Sequence, residues 1–165
     1  MSFRTSHLFL LIWVGCVLLI ATALYMQYFM DLLPCALCMT QRIFVIFVGL
    51  TALVAWLHRP NPKGVKIYAV IGSLMAIAGG SFSSRHLWLQ SLPEDLVPAC
   101  GPSLSYLLEA FPFSEALRLL LQGDGNCAES LWSLFGITIP GWTLVAFIGL
   151  LLINCWIFYK SSHQQ

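Results

Sequence analysis

The sequence predicts an all-α membrane protein, an up-down bundle of four transmembrane helices with a long outer loop that carries short surface helices. Of the 165 residues, 59% are hydrophobic and 9% are charged, compared with about 25% charged in a typical soluble domain. The apolar residues also fall into four separate runs, each of membrane-spanning length. We therefore treat residues 1–165 as a single integral membrane domain.

The four spans are expected at about residues 8–30, 35–57, 67–84 and 139–159. The first run has no charged side chain. It is longer than the apolar part of a signal peptide and no small-residue cleavage site follows it, so we expect it to be retained. Pro34 opens the second span, because proline suits the first turn of a helix. A turn rich in helix breakers, at residues 58–66, precedes the third span.

The charge distribution orients the predicted bundle. Four spans place both termini on one side, together with Arg4, Arg59, Lys63, Lys66 and Lys160, whereas all seven acids lie in the opposite loops. Both termini are expected to be cytoplasmic, since cytoplasmic loops carry the excess of Lys and Arg. The loop at about residues 85–138 then faces outward, which in a bacterium is the periplasm, with short helices on the membrane surface.

A dithiol motif, Pro34-Cys35-Ala36-Leu37-Cys38, begins the second span. Cysteines three residues apart share one face of a helix, and Arg42 falls on that face because of its helical spacing from both. The unpaired N–H groups and the positive dipole end at a helix N-terminus favour a thiolate and reversible oxidation. A second pair, Cys100 and Cys127, is expected in the outer loop, on the oxidising side of the membrane.

Two other uses of these cysteines remain open from the residues alone, namely structural disulfides or half of a metal site. A four-thiolate zinc site usually has a second closely spaced pair, whereas Cys100 and Cys127 are far apart in the chain. We therefore expect no metal. We also expect no nucleic-acid partner, because the net charge is +1 and no basic cluster is present. Cys16 and Cys155 are expected to be packed core thiols.

Two further polar residues are candidates for a binding role. Arg42 either snorkels to the nearby interface or stabilises the Cys38 thiolate and a bound electron acceptor with carbonyl oxygens. His86, at the outer end of the third span, is a candidate hydrogen-bond partner of the same acceptor.

These motifs together resemble the DsbB family of bacterial inner-membrane thiol oxidases. The resemblance rests on two outward-facing cysteine pairs, on Pro-Cys-Ala-Leu-Cys followed by Arg42, and on Gly-Asn-Cys-Ala-Glu at 125–129 before Ile-Pro-Gly-Trp. It covers nearly the whole chain. It departs at Gln41, where a known member of the family has an acid, which could alter the local charge balance.

The resemblance implies an enzyme that oxidises a periplasmic DsbA-like thiol oxidase and passes the electrons to membrane quinone, either ubiquinone or menaquinone. Carried over by position, Cys100 would accept the mixed disulfide with the partner, and Cys127 would be its pair. Cys35 would exchange with Cys127, and Cys38 would deliver electrons to the quinone.

In the same resemblance, Arg42 and His86 would lie beside the quinone ring.

Two alternative functions remain. One is a thiol oxidoreductase resembling vitamin K epoxide reductase, in which the active pair lies nearer the end of the chain rather than at the start of the second span. The other is a non-enzymatic membrane protein with structural disulfides or a metal site.

Overall fold

The computed structural model describes residues 3–32, 34–93, 106, 109–112, 114–115, 118–119 and 132–163. The long helices are α1 (Phe3–Phe29), α2 (Ala36–His58), α3 (Pro62–Gln90) and α4 (Ile139–Ser162). An antiparallel hairpin of β1 (Ser133–Leu134) and β2 (Ile137–Thr138) precedes α4. The shortest of these four helices, α2, has 23 residues and is about 34 Å long, compared with about 30 Å for the hydrocarbon core of a bilayer. All four helices are long and apolar enough to cross a membrane, which confirms the predicted fold class.

Successive helices run antiparallel, because the end of each contacts the start of the next. Ser161, near the end of α4, donates a hydrogen bond of 2.9 Å to the carbonyl of Pro62 at the start of α3. At the opposite end, Thr138 donates a hydrogen bond of 2.8 Å to the side chain of Gln90. Within the described helices, α1 packs on α2, α2 on α3 and α3 on α4, whereas α1 and α4 make few contacts. The bundle therefore has one loosely packed seam, between α1 and α4.

Small residues bring α3 and α4 close together. A Cβ added to Gly79 would lie 2.3 Å from the ring of Phe147, and one added to Gly72 would lie 2.6 Å from Oδ1 of Asn154. Membrane helices associate through packing of this kind, because lipid provides no hydrophobic drive between them. The α3–α4 seam is therefore tightly closed.

Helix α3 is longer than the expected third span at both ends. It begins at Pro62 because Asn61 caps it, with the Asn61 side chain accepting the backbone N–H of Gly64 at 2.9 Å. Pro62 fits the first turn, where its missing N–H would have no partner in the helix. The residue interpreted from the sequence as a helix breaker is thus a helix starter. At the other end the helix continues to Gln90 and includes His86.

The segment between α3 and α4 contains a hairpin that the sequence did not predict. Phe135 and Gly136 at its tip have φ angles of 53° and 77°, the pattern of a type I′ turn between two strands. The indole of Trp142 donates a hydrogen bond of 3.3 Å to the carbonyl of Leu134, which ties the hairpin to the first turn of α4. The described helical residues between α3 and the hairpin are Tyr106 and residues 109–110, 114–115 and 118–119.

Candidate active site

Cys35 is the N-cap residue of α2. Its backbone is extended, with φ −72° and ψ 171°, and its Sγ accepts the backbone N–H of Cys38 at 3.5 Å. This first turn places both sulfurs on one face of the helix, as the spacing predicted. Both residues are half-buried and both are thiols in this structure. The chemistry that this arrangement favours is reversible oxidation, because a helix N-terminus stabilises a thiolate.

His86 of α3 lies against both thiols. Its Nε2 is 3.8 Å from Sγ of Cys35, and its Nδ1 is 3.9 Å from Sγ of Cys38. The imidazole is 2% exposed. One donor atom from each of the three residues lies within 4.8 Å of the others. His86 therefore adjoins the dithiol itself, a contact that the sequence did not predict.

Gln41 also contacts the imidazole, at the ring nitrogen nearest to Cys38. Its side chain is 3% exposed, and its Nε2 lies 3.4 Å from Nδ1 of His86. A proton on Nε2 of His86 lets Nδ1 accept from the Gln41 amide and directs an N–H at Sγ of Cys35. Sequence reasoning noted Gln41 only as a departure from the family pattern. The missed signal was a polar residue one helical turn after Cys38, within a membrane span.

Arg42 joins α2 to α1. Its Nη2 donates a hydrogen bond of 3.1 Å to the carbonyl of Ala23, and its Nη1 donates to the side-chain oxygen of Gln27. The guanidinium is thus held near the depth of Ala23, about 9 Å inside the end of α1. Arg42 lines the same cleft as Cys38, and its sequence-based roles, at the interface or beside a bound acceptor, stay predictions. The contacts with α1 were not predicted.

A cleft of ≈ 120 Å³ adjoins the thiols and includes residues of both α1 and α4. Its polar lining is Cys35, Cys38, Gln41, Arg42, His86, Gln90 and Thr143. Its apolar lining includes Ile20, Met26, Trp132 and Ile139. An enclosed apolar cavity of roughly 150 Å³ accommodates one benzene ring, so the space is on the scale of a single six-membered ring. The cleft therefore brings a ring-sized apolar space next to a dithiol, an imidazole and a guanidinium.

Two predicted site residues, Cys100 and Cys127, lie outside the described residues, so their approach to Cys35 stays a prediction. Cys16 is buried, as expected, and packs against Gly49, where an added Cβ would lie 2.9 Å from Cys16 Cβ. The expectation for Cys155 was wrong, because this residue is exposed. The buried face of α4 passes through its neighbour Asn154 and through Ile157, and this helical spacing turns Cys155 away from the bundle.

Comparison with known proteins identifies the family. The family described as Disulfide bond formation protein DsbB matches residues 5–157. The chain belongs to the DsbB family. The resemblance predicted from the sequence is confirmed, and the DsbB family is selected over the family that resembles vitamin K epoxide reductase.

Several DsbB relatives match over most of the chain. Disulfide bond formation protein B of Saccharophagus degradans is 54% identical over 155 residues, which are 94% of this chain and 92% of the relative. The protein of the same name in Hahella chejuensis is 55% identical over 131 residues, 79% of each chain. Disulfide bond formation protein B 1 of Pseudomonas aeruginosa is 44% identical over 145 residues, 88% of this chain and 89% of the relative. The similarity thus covers between 79% and 92% of the length of these DsbB proteins.

Proposed function

We propose that this DsbB-family protein oxidises a periplasmic DsbA-like thiol oxidase and passes the electrons through two cysteine pairs to membrane quinone, ubiquinone or menaquinone. It would thereby support disulfide bond formation, the role named for its relatives. One observation carries the proposal. The contact of Cys35, Cys38 and His86 lies on the wall of a ring-sized cleft at the loosely packed seam of a membrane bundle.

The proposed location is the bacterial inner membrane, with both termini in the cytoplasm and the redox cysteines in the periplasm. The charges support this orientation. Lys63 near the start of α3 and Lys160 near the end of α4 lie at one end of the bundle, whereas Cys35 and His86 lie at the other. The positive-inside rule assigns the lysine end to the cytoplasm.

The proposed relay begins in the outer loop with two thiol–disulfide exchanges. A thiolate of the reduced partner attacks Cys100 of a Cys100–Cys127 disulfide, and the partner's second thiol then displaces Cys100, so the partner leaves oxidised. The Cys127 thiolate attacks Cys35 of a Cys35–Cys38 disulfide and releases Cys38. Cys100 then attacks Cys127, restores the outer disulfide and releases Cys35. Every step forms one S–S bond and breaks one, so two electrons reach the inner pair.

The residues around the cleft fit a quinone head group. A quinone accepts two electrons and two protons, which are the electrons and protons that the Cys35–Cys38 dithiol loses when its disulfide forms again. Arg42, fixed by α1, can donate a charge-assisted hydrogen bond to a carbonyl oxygen. In the tautomer with its proton at Nε2, His86 can donate to Sγ of Cys35, 3.8 Å away. The apolar walls from α1 and α4 exclude water and accept a ring.

The test is reconstitution in mild detergent, with reduced DsbA and ubiquinone as substrates. The full chain is expected to consume quinone as DsbA becomes oxidised. Cys38→Ser is expected to abolish quinone reduction, because the inner disulfide cannot form. Cys155→Ser is the matched control, since it removes an exposed thiol of α4 outside the cluster, and it is expected to keep full activity.

Failure of the folded full chain to reduce either ubiquinone or menaquinone, with all four outer cysteines intact, would contradict the proposal. Oxidation of DsbA by the Cys38→Ser variant at the original rate, with quinone consumed, would also contradict it.

A further inference from the structure

The sulfur and nitrogen atoms of Cys35, Cys38 and His86 are also suitable ligands for a metal ion. Two thiol sulfurs and an imidazole nitrogen lie within 4.8 Å of one another, on two different helices. We propose that the reduced Cys35–Cys38 pair and His86 bind one thiophilic dication, zinc or cadmium, in a site that is lost when the pair is oxidised. The structure supports this on geometry, charge and accessibility.

The geometry is close to that of a tetrahedral site. Zinc binds sulfur at about 2.3 Å and nitrogen at about 2.0–2.1 Å, which places tetrahedral donors roughly 3.5–3.8 Å apart. The sulfur–nitrogen distances are 3.8 Å for Cys35 and 3.9 Å for Cys38, to the two nitrogens of the same ring. One donor atom from each residue lies within 4.8 Å of the others, so a contraction of about 1 Å brings one nitrogen and both sulfurs to bonding positions.

Gln41 supports the imidazole as a metal-bound histidine requires. A histidine ligand usually donates its second ring N–H to a neighbouring oxygen, which fixes the ring and its tautomer. The Gln41 amide lies 3.4 Å from Nδ1 of His86. Since the oxygen and nitrogen of such an amide exchange places on rotation, its oxygen can accept Nδ1–H and leave Nε2 for the metal. The cleft beside the sulfurs provides room for water as a fourth ligand.

The charge balance suits a half-buried position. Binding releases one proton from each thiol, so two thiolates and a neutral imidazole surround a dication, and the cluster has no net charge. A neutral cluster avoids the cost of burying an isolated ion. Oxidation joins the sulfurs at about 2.05 Å and removes both thiolate charges, so the disulfide form has no comparable site.

The consequence for regulation rests on the proposed function, whereas the binding itself does not. A metal ion on both sulfurs holds the dithiol reduced and blocks re-formation of its disulfide. Thiophilic metal in the periplasm would therefore stop the relay after the inner pair has received its electrons. No such block is expected while the inner pair is a disulfide.

The test uses the full-length chain with Cys100→Ser and Cys127→Ser, which removes the outer pair as a competing ligand. The protein is reduced with a phosphine, freed of reductant and titrated with Cd²⁺. Thiolate-to-cadmium charge-transfer absorption reports the bound sulfurs, and Zn²⁺ is added as competitor. One Cd²⁺ per chain is expected for the reduced protein and none after oxidation with diamide.

Variants assign the ligands. Cys35→Ser and Cys38→Ser are each expected to weaken Cd²⁺ binding by at least about a hundredfold, and His86→Gln by about ten- to a hundredfold. Cys155→Ser is the control and is expected to leave binding unchanged, because its thiol faces away from the site. Cys35→Ser changes a single atom, so it remains informative if replacing the buried His86 prevents folding.

Binding that persists after oxidation, or that is unchanged by Cys35→Ser, would overturn the inference. Quinone reduction by the natural chain, measured in parallel without metal, separates this inference from the proposed function. Normal quinone reduction with no Cd²⁺ binding overturns the metal site alone. Cd²⁺ binding by the reduced pair without any quinone reduction overturns the proposed relay and leaves the metal site in place.

Discussion

The two faces of α4 differ in how closely the neighbouring helix approaches. Against α3, Gly79 accepts the ring of Phe147 with no room for a methyl group. Toward α1, contacts are few and a cleft lies beside the thiols, with the long side chains of Ile20 and Met26 in its lining. Because lipid gives apolar helices no reason to associate, a seam closes where small residues allow close packing and stays open elsewhere. Under the proposed function, this open seam is where a lipid-dissolved acceptor would reach the dithiol.

The largest expected effect comes from filling the open seam. Ala23 lines the cleft, and Ala23→Phe puts a ring into its ≈ 120 Å³ while keeping the carbonyl that binds Arg42. We expect kcat/KM for quinone to fall about a hundredfold, equivalent to about 2.7 kcal/mol, because the head group loses its space. Thiol exchange with DsbA, followed in a single turnover without quinone, is expected to be unchanged.

Ala21→Phe, on the exposed side of α1, is the control for this prediction. Equal losses in both variants would rule out the cleft as the quinone site.

A smaller effect is expected from the charge in the same seam. Arg42→Gln keeps hydrogen-bonding capacity and removes the positive charge, so the apparent KM for quinone is expected to rise about tenfold, with little change in exchange with DsbA. Steady-state rates over a range of quinone concentrations measure this. An unchanged KM would limit Arg42 to joining α1 and α2. Gln27→Leu, which leaves the guanidinium and removes one of its partners on α1, is expected to raise KM by less.

The smallest effect is expected in the closed seam. Gly79→Ala forces a methyl group against Phe147, at a cost of about 1–3 kcal/mol for overpacking, offset by about 1 kcal/mol of improved helix propensity. A net loss of about 1 kcal/mol in the free energy of unfolding is therefore expected, measured by denaturant titration in detergent micelles. Gly149→Ala is the matched control on α4, because nothing lies within 4 Å of its added Cβ, and it should not destabilise. Similar destabilisation of both variants would show that the close contact is unimportant.

The fold was largely predictable because long uncharged runs leave few alternatives to membrane helices. The start of α3 was harder to predict from the sequence, because Pro62 is compatible with both a turn and the first turn of a helix. The hairpin could not be anticipated. Its tip places Phe135 at a positive φ, which is uncommon for a bulky residue, and the Asn-Gly signal typical of such turns is absent.

The site was predictable only within one helix. Cys35, Cys38 and Arg42 lie on one face of α2 because helical spacing alone determines that. His86 is 51 positions from Cys35 in the chain, so their contact depends on how α3 is rotated and shifted along α2. The spacing of apolar residues within each helix does not determine this packing. The bonds from Arg42 to Ala23 and Gln27 depend in the same way on the packing of α1.

The N-cap hydrogen bond of α2 couples the first turn of the helix to the redox state of Cys35 and Cys38. Sγ of Cys35 satisfies the N–H of Cys38, a group that otherwise has no partner within the helix. An anionic sulfur accepts this bond more strongly than a disulfide sulfur does, since hydrogen bonds to charged acceptors are stronger. Formation of the first helical turn therefore stabilises the reduced form of the Cys35–Cys38 pair, and reduction of the pair stabilises that turn. Any mutation that frays this turn is expected to make the dithiol a stronger reductant, even if it touches neither sulfur.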